Sequence, residues 1–497
     1  MATPPASAIE LRNLTTESFS GRPVAVLGLA RSGLALTRFL SDRGADVTVY
    51  DGRPAEDLGE AIEALGDRRP RLLLGPDVDP RAALVGQALV CTSPSVSSRF
   101  PTTESRLRSA LAELEAEGRI PVVSEIDLFL RLCPAATVGV TGTKGKTTTS
   151  SMAAAVLAAG GAPTILGGNI GVPLVERLPG LSHRHRVVLE LSELQLPTLS
   201  RSTDVAVYTH VTSDHLDRHG SLDAYRGVKR RLAELLPPGG ALIRNDDDPV
   251  VRMYSAPVDA RTVPYTRSGP SQGGVGVEDG WVVARGVEPL QLLDAGTASG
   301  DGRILPLAEI PLPGDHSVSN ALAAAAVGLL AGVAPEAIAD AIRAFEGVEH
   351  RLELVATIGG VRYINDSQGT QPDAVVAAVS SFPQPLILIA GGRSKGVPID
   401  DLARAVAERV TAAVLIGETT DQLAAAFTEA GLQHIERAGS MAEAVSMATE
   451  IAWAVTPATV LLSPAAASFD MFADYEQRGR AFKSAVAATA SERKGGR

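Results

Sequence analysis

The sequence predicts an α/β protein of three domains, on three observations. At 497 residues the chain is longer than the roughly 250–300 residues that one hydrophobic core supports. Short β-branched apolar runs alternate with amphipathic helical patterns in three successive segments, the signature of parallel strands joined by crossover helices. Aromatic residues are only 4% while glycines number 48, which favours tightly packed layers over a β-sandwich.

The first segment, residues 1–134, opens with the run Pro23–Leu27, passes a glycine turn and returns as Val47–Tyr50; runs at Arg71–Leu74 and Ala88–Cys91 extend the same sheet. The second, 135–347, starts at Ala136–Val140 and continues through Val187–Leu191 and Val205–Val211. Between about Pro249 and Pro313 the chain is rich in Gly, Ser and Asp, which reads as a small β-rich insertion. The apolar stretch Ala321–Val333 reads as a buried core helix within a helical region ending at Phe345. The third segment, 348–497, contains Leu386–Ala390, Ala413–Ile416 and Thr459–Leu462, separated by Ala-rich helical patterns. Boundaries fall where the pattern lapses, at Leu132-Cys133-Pro134 and Glu346-Gly347-Val348.

Charge and composition exclude several classes. Lys and Arg total 46 against 57 Asp and Glu, a net −11, so no global field attracts nucleic acid or an anionic membrane. Any phosphate must be held locally. No run reaches the roughly 18–20 apolar residues of a membrane span, and the first residues lack the basic and apolar regions of a secretory signal. Two cysteines, Cys91 and Cys133, cannot form a disulfide framework. A cytoplasmic monomer without membrane insertion is expected.

The strongest local signal is Gly139–Ser150, GVTGTKGKTTTS. A strand pattern enters it, glycines turn it and a helical pattern leaves it. Backbone N–H groups of such a turn, with the helix N-terminus behind them, cradle phosphate oxygens. Gly142, Thr143, Lys144, Gly145, Lys146, Thr147 and Thr148 form this expected ATP loop, with Lys146 neutralising the terminal phosphates and Thr147 ligating magnesium. Val140 stands where the strict pattern wants its first glycine, which makes this a shorter variant. The alternative is a turn that only packs a helix on a strand.

Glu190 closes the next strand pattern, where ligands collect in α/β sheets, and is a natural second magnesium contact; a capping acid is the alternative reading. His215 lies just past the strand Val205–Val211, a place suited to a metal-ligating imidazole or to a loop histidine bonded to backbone. Lys229 falls on a following helix with nothing local to mark it. In the first segment, Gly28-Leu29-Ala30-Arg31-Ser32-Gly33 follows a strand and opens a helix, and Asp51 ends the next strand. Alone this suggests a dinucleotide turn with an acid on the ribose. Ala30 stands where its middle glycine belongs, so a plain strand-to-helix turn competes.

In order along the chain stand TGTKGKTT, GNIG at Gly168–Gly171, LELSELQL, THVTSDHLDRHGSLDAY with Lys229 behind it, and GVEHRLE at Gly347–Glu353. This series resembles the Mur ligases, ATP-dependent amide-forming enzymes of peptidoglycan precursor synthesis. The resemblance implies Rossmann-like first and third domains flanking a central P-loop ATPase domain. It implies that Lys146 and Thr147 hold phosphate and magnesium, that Glu190 and His215 ligate metal, and that Asn169 lines the ATP pocket. Lys229 matches a lysine carboxylated in this family, a modification that turns an ammonium into a metal-supporting anion. Lys146, His215 and Lys229 are thus the expected catalytic residues.

Leu461–Phe482, LLSPAAASFDMFADYEQRGRAF, most resembles the D-glutamate-adding branch. That likeness implies Ser468, Tyr475, Thr370 and Lys395 around the amino acid, and Arg351 and Asp366 around ATP. In the first domain it implies Leu29, Ala30, Arg31, Ser32, Gly33, Asp51, Gly52, Arg53 and Ser93 at the UDP end of UDP-N-acetylmuramoyl-L-alanine. Gln368 and Gly369 stand where this branch often has Lys-Ala, which leaves the stereochemistry of the added glutamate open. The alternatives are another amino-acid ligase of the family, L-glutamate-adding or like folylpolyglutamate synthase, and a nicotinamide-dependent redox enzyme built on Gly28 and Asp51.

Overall fold

The computed structural model describes the chain except residues 1–6, 102, 213–220, 294–299, 313, 395–396 and 496–497. It holds two compact units, Met1–Phe345 and Glu346–Arg497, and three mainly parallel sheets.

The first sheet contains β1 (Pro23–Leu27), β2 (Asp46–Asp51), β3 (Arg71–Leu74), β4 (Leu89–Thr92) and β5 (Val122–Ser124) in the order β3-β2-β1-β4-β5. All four pairings are parallel. The order reverses between β1 and β4, so the turns leaving those strands open a crevice at their carboxyl ends. The helix Arg31–Asp42 buries Ala35, Leu36, Phe39 and Leu40 against this sheet, the spacing of an amphipathic helix.

The second sheet has nine strands: β6 (Ala136–Thr141), β7 (Thr164–Gly168), β8 (Arg186–Glu190), β9 (Val205–Tyr208), β10 (Ala241–Asn245), β11 (Arg261–Tyr265), β12 (Gly274–Glu278), β13 (Trp281–Val287) and β14 (Gly300–Pro306). They lie in the order β14-β13-β12-β11-β10-β9-β6-β8-β7. The stretch expected to be an insertion is instead the outer part of this sheet. β11 pairs with β10 over five residues and β12–β14 follow, the last three antiparallel to one another. Gly and Ser dominate there because hairpin turns do; the alternation is weak because β11 contributes Pro264 and β12 two glycines.

The strand expected to run to Val211 stops at Tyr208. Thr209 and His210 turn away to meet the glycine loop: Thr209 Oγ1 donates to the Lys144 carbonyl and the Thr143 N–H donates to the His210 carbonyl, both at 2.6 Å. The expected core helix spans Asp315–Leu330, with Ala321–Leu330 buried on every side, the mark of a helix enclosed by neighbours. It packs against the helix Lys146–Ala159. A second helix, Pro335–Arg343, follows with proline at its first position, where a missing N–H costs nothing.

The third sheet holds β15 (Glu353–Ile358), β16 (Val361–Asn365), β17 (Leu386–Ala390), β18 (Ala412–Leu415), β19 (Ile435–Arg437) and β20 (Ala458–Leu462), ordered β15-β16-β20-β17-β18-β19. Only β15 is antiparallel to its neighbour. Apolar layers cover both faces: Val375, Leu402 and Phe427 on one, Met441, Val445 and Phe482 on the other. Among the described residues no helix is long and apolar enough to cross a membrane. Both cysteines are free. Cys91 is buried in β4 and Cys133 half-buried; burial raises both thiols, Cys133 to about 11.

The Gly28–Gly33 turn allows no side chain on its inner face. A Cβ on Gly33 would lie 1.7 Å from the Gly28 carbonyl oxygen. Gly33→Ala therefore forces the helix off β1. The expected outcome is a loss of about 1–3 kcal/mol, read as a lowered denaturation midpoint.

Candidate active site

The turn after β6 is positioned by contacts that exclude side chains. Gly142 has φ +152°, and a Cβ there would lie 2.0 Å from Thr209 Oγ1. The loop main chain is thus held directly against the end of β9. Thr143 Oγ1 sits 2.8 Å from the Tyr225 hydroxyl and accepts from the Thr212 N–H at 3.1 Å. The helix Lys146–Ala159 begins behind the loop with no side-chain cap, so its first N–H groups and positive dipole end face the turn. Lys146 is half-buried and bends back to the Thr143 carbonyl at 2.9 Å; Lys144 is exposed, Thr147 buried and Thr148 half-buried.

β6 lies between β8 and β9 in the sheet, and both neighbours bring polar groups to the same end. Glu190, the last residue of β8, is buried. Its Oε1 accepts from Asn169 Nδ2 at 2.9 Å, which places the residue of the GNIG motif beside the acid. Its Oε2 is buried with no hydrogen-bond partner among the described residues. A buried carboxylate oxygen left unpaired is costly, and a divalent cation beside the phosphate loop would satisfy it. This donor chemistry fits magnesium, a hard ion that takes oxygen ligands. Lys229, on the helix Leu222–Glu234, is fully buried and donates to the Gly142 carbonyl at 3.1 Å. The lysine that looked unremarkable in sequence therefore enters the loop from below. His215 lies outside the described residues, and among those described no group of three His, Cys, Asp or Glu side chains forms a metal cluster.

In the first sheet, Asp51 is buried and fully engaged. Its Oδ2 accepts from the Leu29 N–H at 2.8 Å and from Arg53 Nη2 at 2.8 Å; its Oδ1 accepts from the Arg53 N–H and Nε, each at 3.0 Å. Burial pushes this carboxyl up, but the bonds from Arg53 and the Leu29 amide outweigh it and hold it below the ordinary range. An acid so committed braces the turn, which removes the free ribose acceptor that a nicotinamide reading required. Ala30, Arg31 and Gly52 are exposed, Ser32 is half-buried, and Ser93 is buried beside Gly28 after β4.

In the third sheet, loops after β16, β20 and β17 adjoin. Asp366 and Ser468 are buried, Thr370 and Tyr475 half-buried, and Arg351 exposed; Lys395 lies outside the described residues. Ser463 Oγ donates to Asp366 Oδ2 at 2.6 Å and the Leu352 N–H to Oδ1 at 3.2 Å. Burial raises the Asp366 carboxyl to about 6, against those bonds and the charge of Arg351. His350 is buried at φ +65°, and its Nδ1 accepts from Asn365 Nδ2 at 2.9 Å; burial holds its imidazole below the usual range.

Sequence reading missed four participants. Thr209 and Asn245 support the loop, the latter donating to the Thr209 carbonyl at 2.8 Å. Asp248 is buried, accepts from the Val211 N–H at 3.0 Å and pairs with His210 Nδ1. The acid-rich run Asn245–Asp248 after β10 was the available signal. Arg478, the largest fully buried side chain, was hidden inside a polar helix start.

Two outcomes follow. Gly142→Ala should abolish ATP uptake in calorimetry, since the added methyl displaces the loop from Thr209. Asp366 has its carboxyl raised from 3.8 to about 6 when folded, so the fold holds the extra proton between those values. Its stabilising contribution is present below about pH 4 and lost as pH rises through 6. Asp366→Asn, which does not titrate, should gain stability relative to the parent between pH 4 and 8, by up to about 3 kcal/mol. Urea unfolding at both pH values checks this.

The Mur ligase middle domain matches residues 140–328, and the Mur ligase glutamate ligase domain matches residues 350–466. The chain is 39% identical over 472 residues to a UDP-N-acetylmuramoylalanine–D-glutamate ligase of Symbiobacterium thermophilum, covering 93% of this chain and 97% of that one. It is 38% identical to the enzyme of that name from Acidobacterium capsulatum, over 94% and 96% of the two chains. Among solved structures, UDP-N-acetylmuramate-alanine ligase from Thermotoga maritima shares the fold, with TM-score 0.53, 16% identity and coverage of 94% and 100%. Likeness of that extent, running nearly end to end through all three sheets, makes this chain a member of the Mur ligase family.

Proposed function

We propose that this chain is an ATP-dependent amide ligase that joins D-glutamate to UDP-N-acetylmuramoyl-L-alanine in peptidoglycan precursor synthesis. The observation that carries the reading is the glycine loop after β6, with Lys146 upon it and the unpaired Glu190 oxygen beside it. A phosphate cradle next to a cation position is what phosphoryl transfer requires. The relatives named for this reaction, at 34–39% identity over most of their length, supply the acceptor and the amino acid.

On this reading residues 1–134 take the UDP end of the acceptor, 135–347 take ATP, and 348–497 take the amino acid. The acceptor's carboxylate attacks the γ-phosphoryl group, releasing ADP and leaving an acyl phosphate. The glutamate amine then attacks the acyl carbon; phosphate leaves and the amine proton passes to solvent. Loop N–H groups after Gly142 and the Lys146 ammonium hold the phosphates and offset their charge. Magnesium, held by Thr147, Glu190 and His215, would neutralise phosphate oxygens where two anions must meet. Lys229 as its carbamate would support a second ion, and a carbamate keeps one N–H as a donor. Asn169 orients Glu190, and Arg351 and Asp366 lie at the nucleotide. Leu29–Gly33, Asp51–Arg53 and Ser93 form the UDP end. Thr370, Lys395, Ser468 and Tyr475 surround the amino acid. The reading is of a cytoplasmic monomer that draws on ATP as co-substrate.

Mass analysis of the product formed with D- against L-glutamate tests the assignment: amide formed with the D isomer is expected, and turnover of L-glutamate alone overturns it. Lys146→Met should lower phosphate release at least about 100-fold while the protein stays folded.

A further inference from the structure

Arg478 is 1% exposed, near the start of the helix Tyr475–Gly495. Every bond its guanidinium makes goes to a loop at the carboxyl edge of the third sheet. Nε donates to Ser367 Oγ at 3.1 Å and Nη2 to the Ser367 carbonyl at 3.0 Å. Nη1 donates to the Ala466 carbonyl at 3.1 Å. The third loop touches it by close packing: a Cβ on Gly392 would lie 3.2 Å from Nη1 and 2.2 Å from the Ala467 carbonyl oxygen. Arg393 and Ala467 are bridged through their backbones, each N–H donating to the other's carbonyl. One planar cation thus sits at the meeting point of the turns after β16, β17 and β20, where ligands bind in such sheets.

Charge adds to geometry. Among the described residues no carboxylate lies within ion-pair distance of Arg478; its partners are carbonyls and a hydroxyl. Burial draws the guanidinium down to about 10, which leaves it protonated at neutral pH. Asp470 acts on it through its charge alone, without a bond, and offsets part of the cost of burial. Gln368 adds no positive charge to this edge.

We infer that Arg478 is a positioning residue that ties the three loops into one cradle for the amino-acid substrate. This rests on the ligase reading above. Arg478 acts through Ser367 and Ala466, the neighbours of Thr370 and Ser468, and does not itself touch the substrate. Only a guanidinium serves all three bonds in a plane; an ammonium cannot.

The test compares the full chain with Arg478→Lys and, as a milder lesion, Ser367→Ala. Three Michaelis constants and amide hydrogen exchange across 366–370 and 464–468 are measured. In Arg478→Lys the KM for D-glutamate should rise about tenfold or more while those for ATP and the UDP acceptor stay within about twofold. Exchange in both loops should quicken together. Ser367→Ala should shift the same constant in the same direction by about threefold, which preserves the test should the lysine variant not fold. An unchanged KM for D-glutamate overturns the inference, and so does an equal rise in all three constants, the mark of general damage. If the parent protein turns over no D-glutamate at all, the ligase reading fails. Exchange then decides whether Arg478 ties the loops, and unchanged exchange overturns that part.

Discussion

The structure depends on main chain approaching main chain more closely than a side chain permits. At Gly142 the loop lies against Thr209 with no room for a methyl, and this contact turns the following N–H groups toward one point. At Gly33 the helix start touches the Gly28 carbonyl in the same way. Anion binding by backbone dipoles needs the ligand near several N–H groups at once, and Cβ atoms on the inner face would keep it away. The absence of side chains at these positions is what lets the two turns close.

Around each glycine turn the sheet supplies what the turn lacks. β6 sits between strands that run off to either side, so Glu190 from one neighbour and Thr209 from the other reach its loop. β1 and β4 do likewise for Gly28 and Ser93. In the third sheet the turn after β17 opens with Gly391 and Gly392, and a buried guanidinium gathers the loops beside it. The same topology therefore serves two kinds of site, one formed by exposed amides and one drawn together by a cation.

Much of this was legible in the sequence, and the exceptions share a cause. Parallel strands buried on both faces read as continuous apolar runs, so Pro23–Leu27 and Leu386–Ala390 were placed to the residue. The strand ending at Tyr208 was read three residues too long because Thr209, His210 and Val211 remain β-like in composition while Thr209 and His210 bond to the glycine loop and the Val211 N–H to Asp248. The stretch after Pro249 misled because edge hairpins carry little apolar alternation. Lys229 and Arg478 are charged residues on polar helix patterns; only tertiary packing shows that both point inward. Pairings that cross the sheet, such as Asn169 with Glu190 or Asp248 with His210, have no signature in linear spacing.

Cys91 is enclosed within β4 and Cys133 is half-buried beside Pro134, and burial raises both thiols above their ordinary range. Alkylating reagents attack the thiolate, so at neutral pH these two raised thiols react more slowly than an exposed one. A single cysteine introduced on an exposed loop would then take up a fluorophore or spin label ahead of them. The protein comes ready for site-directed spectroscopy without prior removal of its own sulfur.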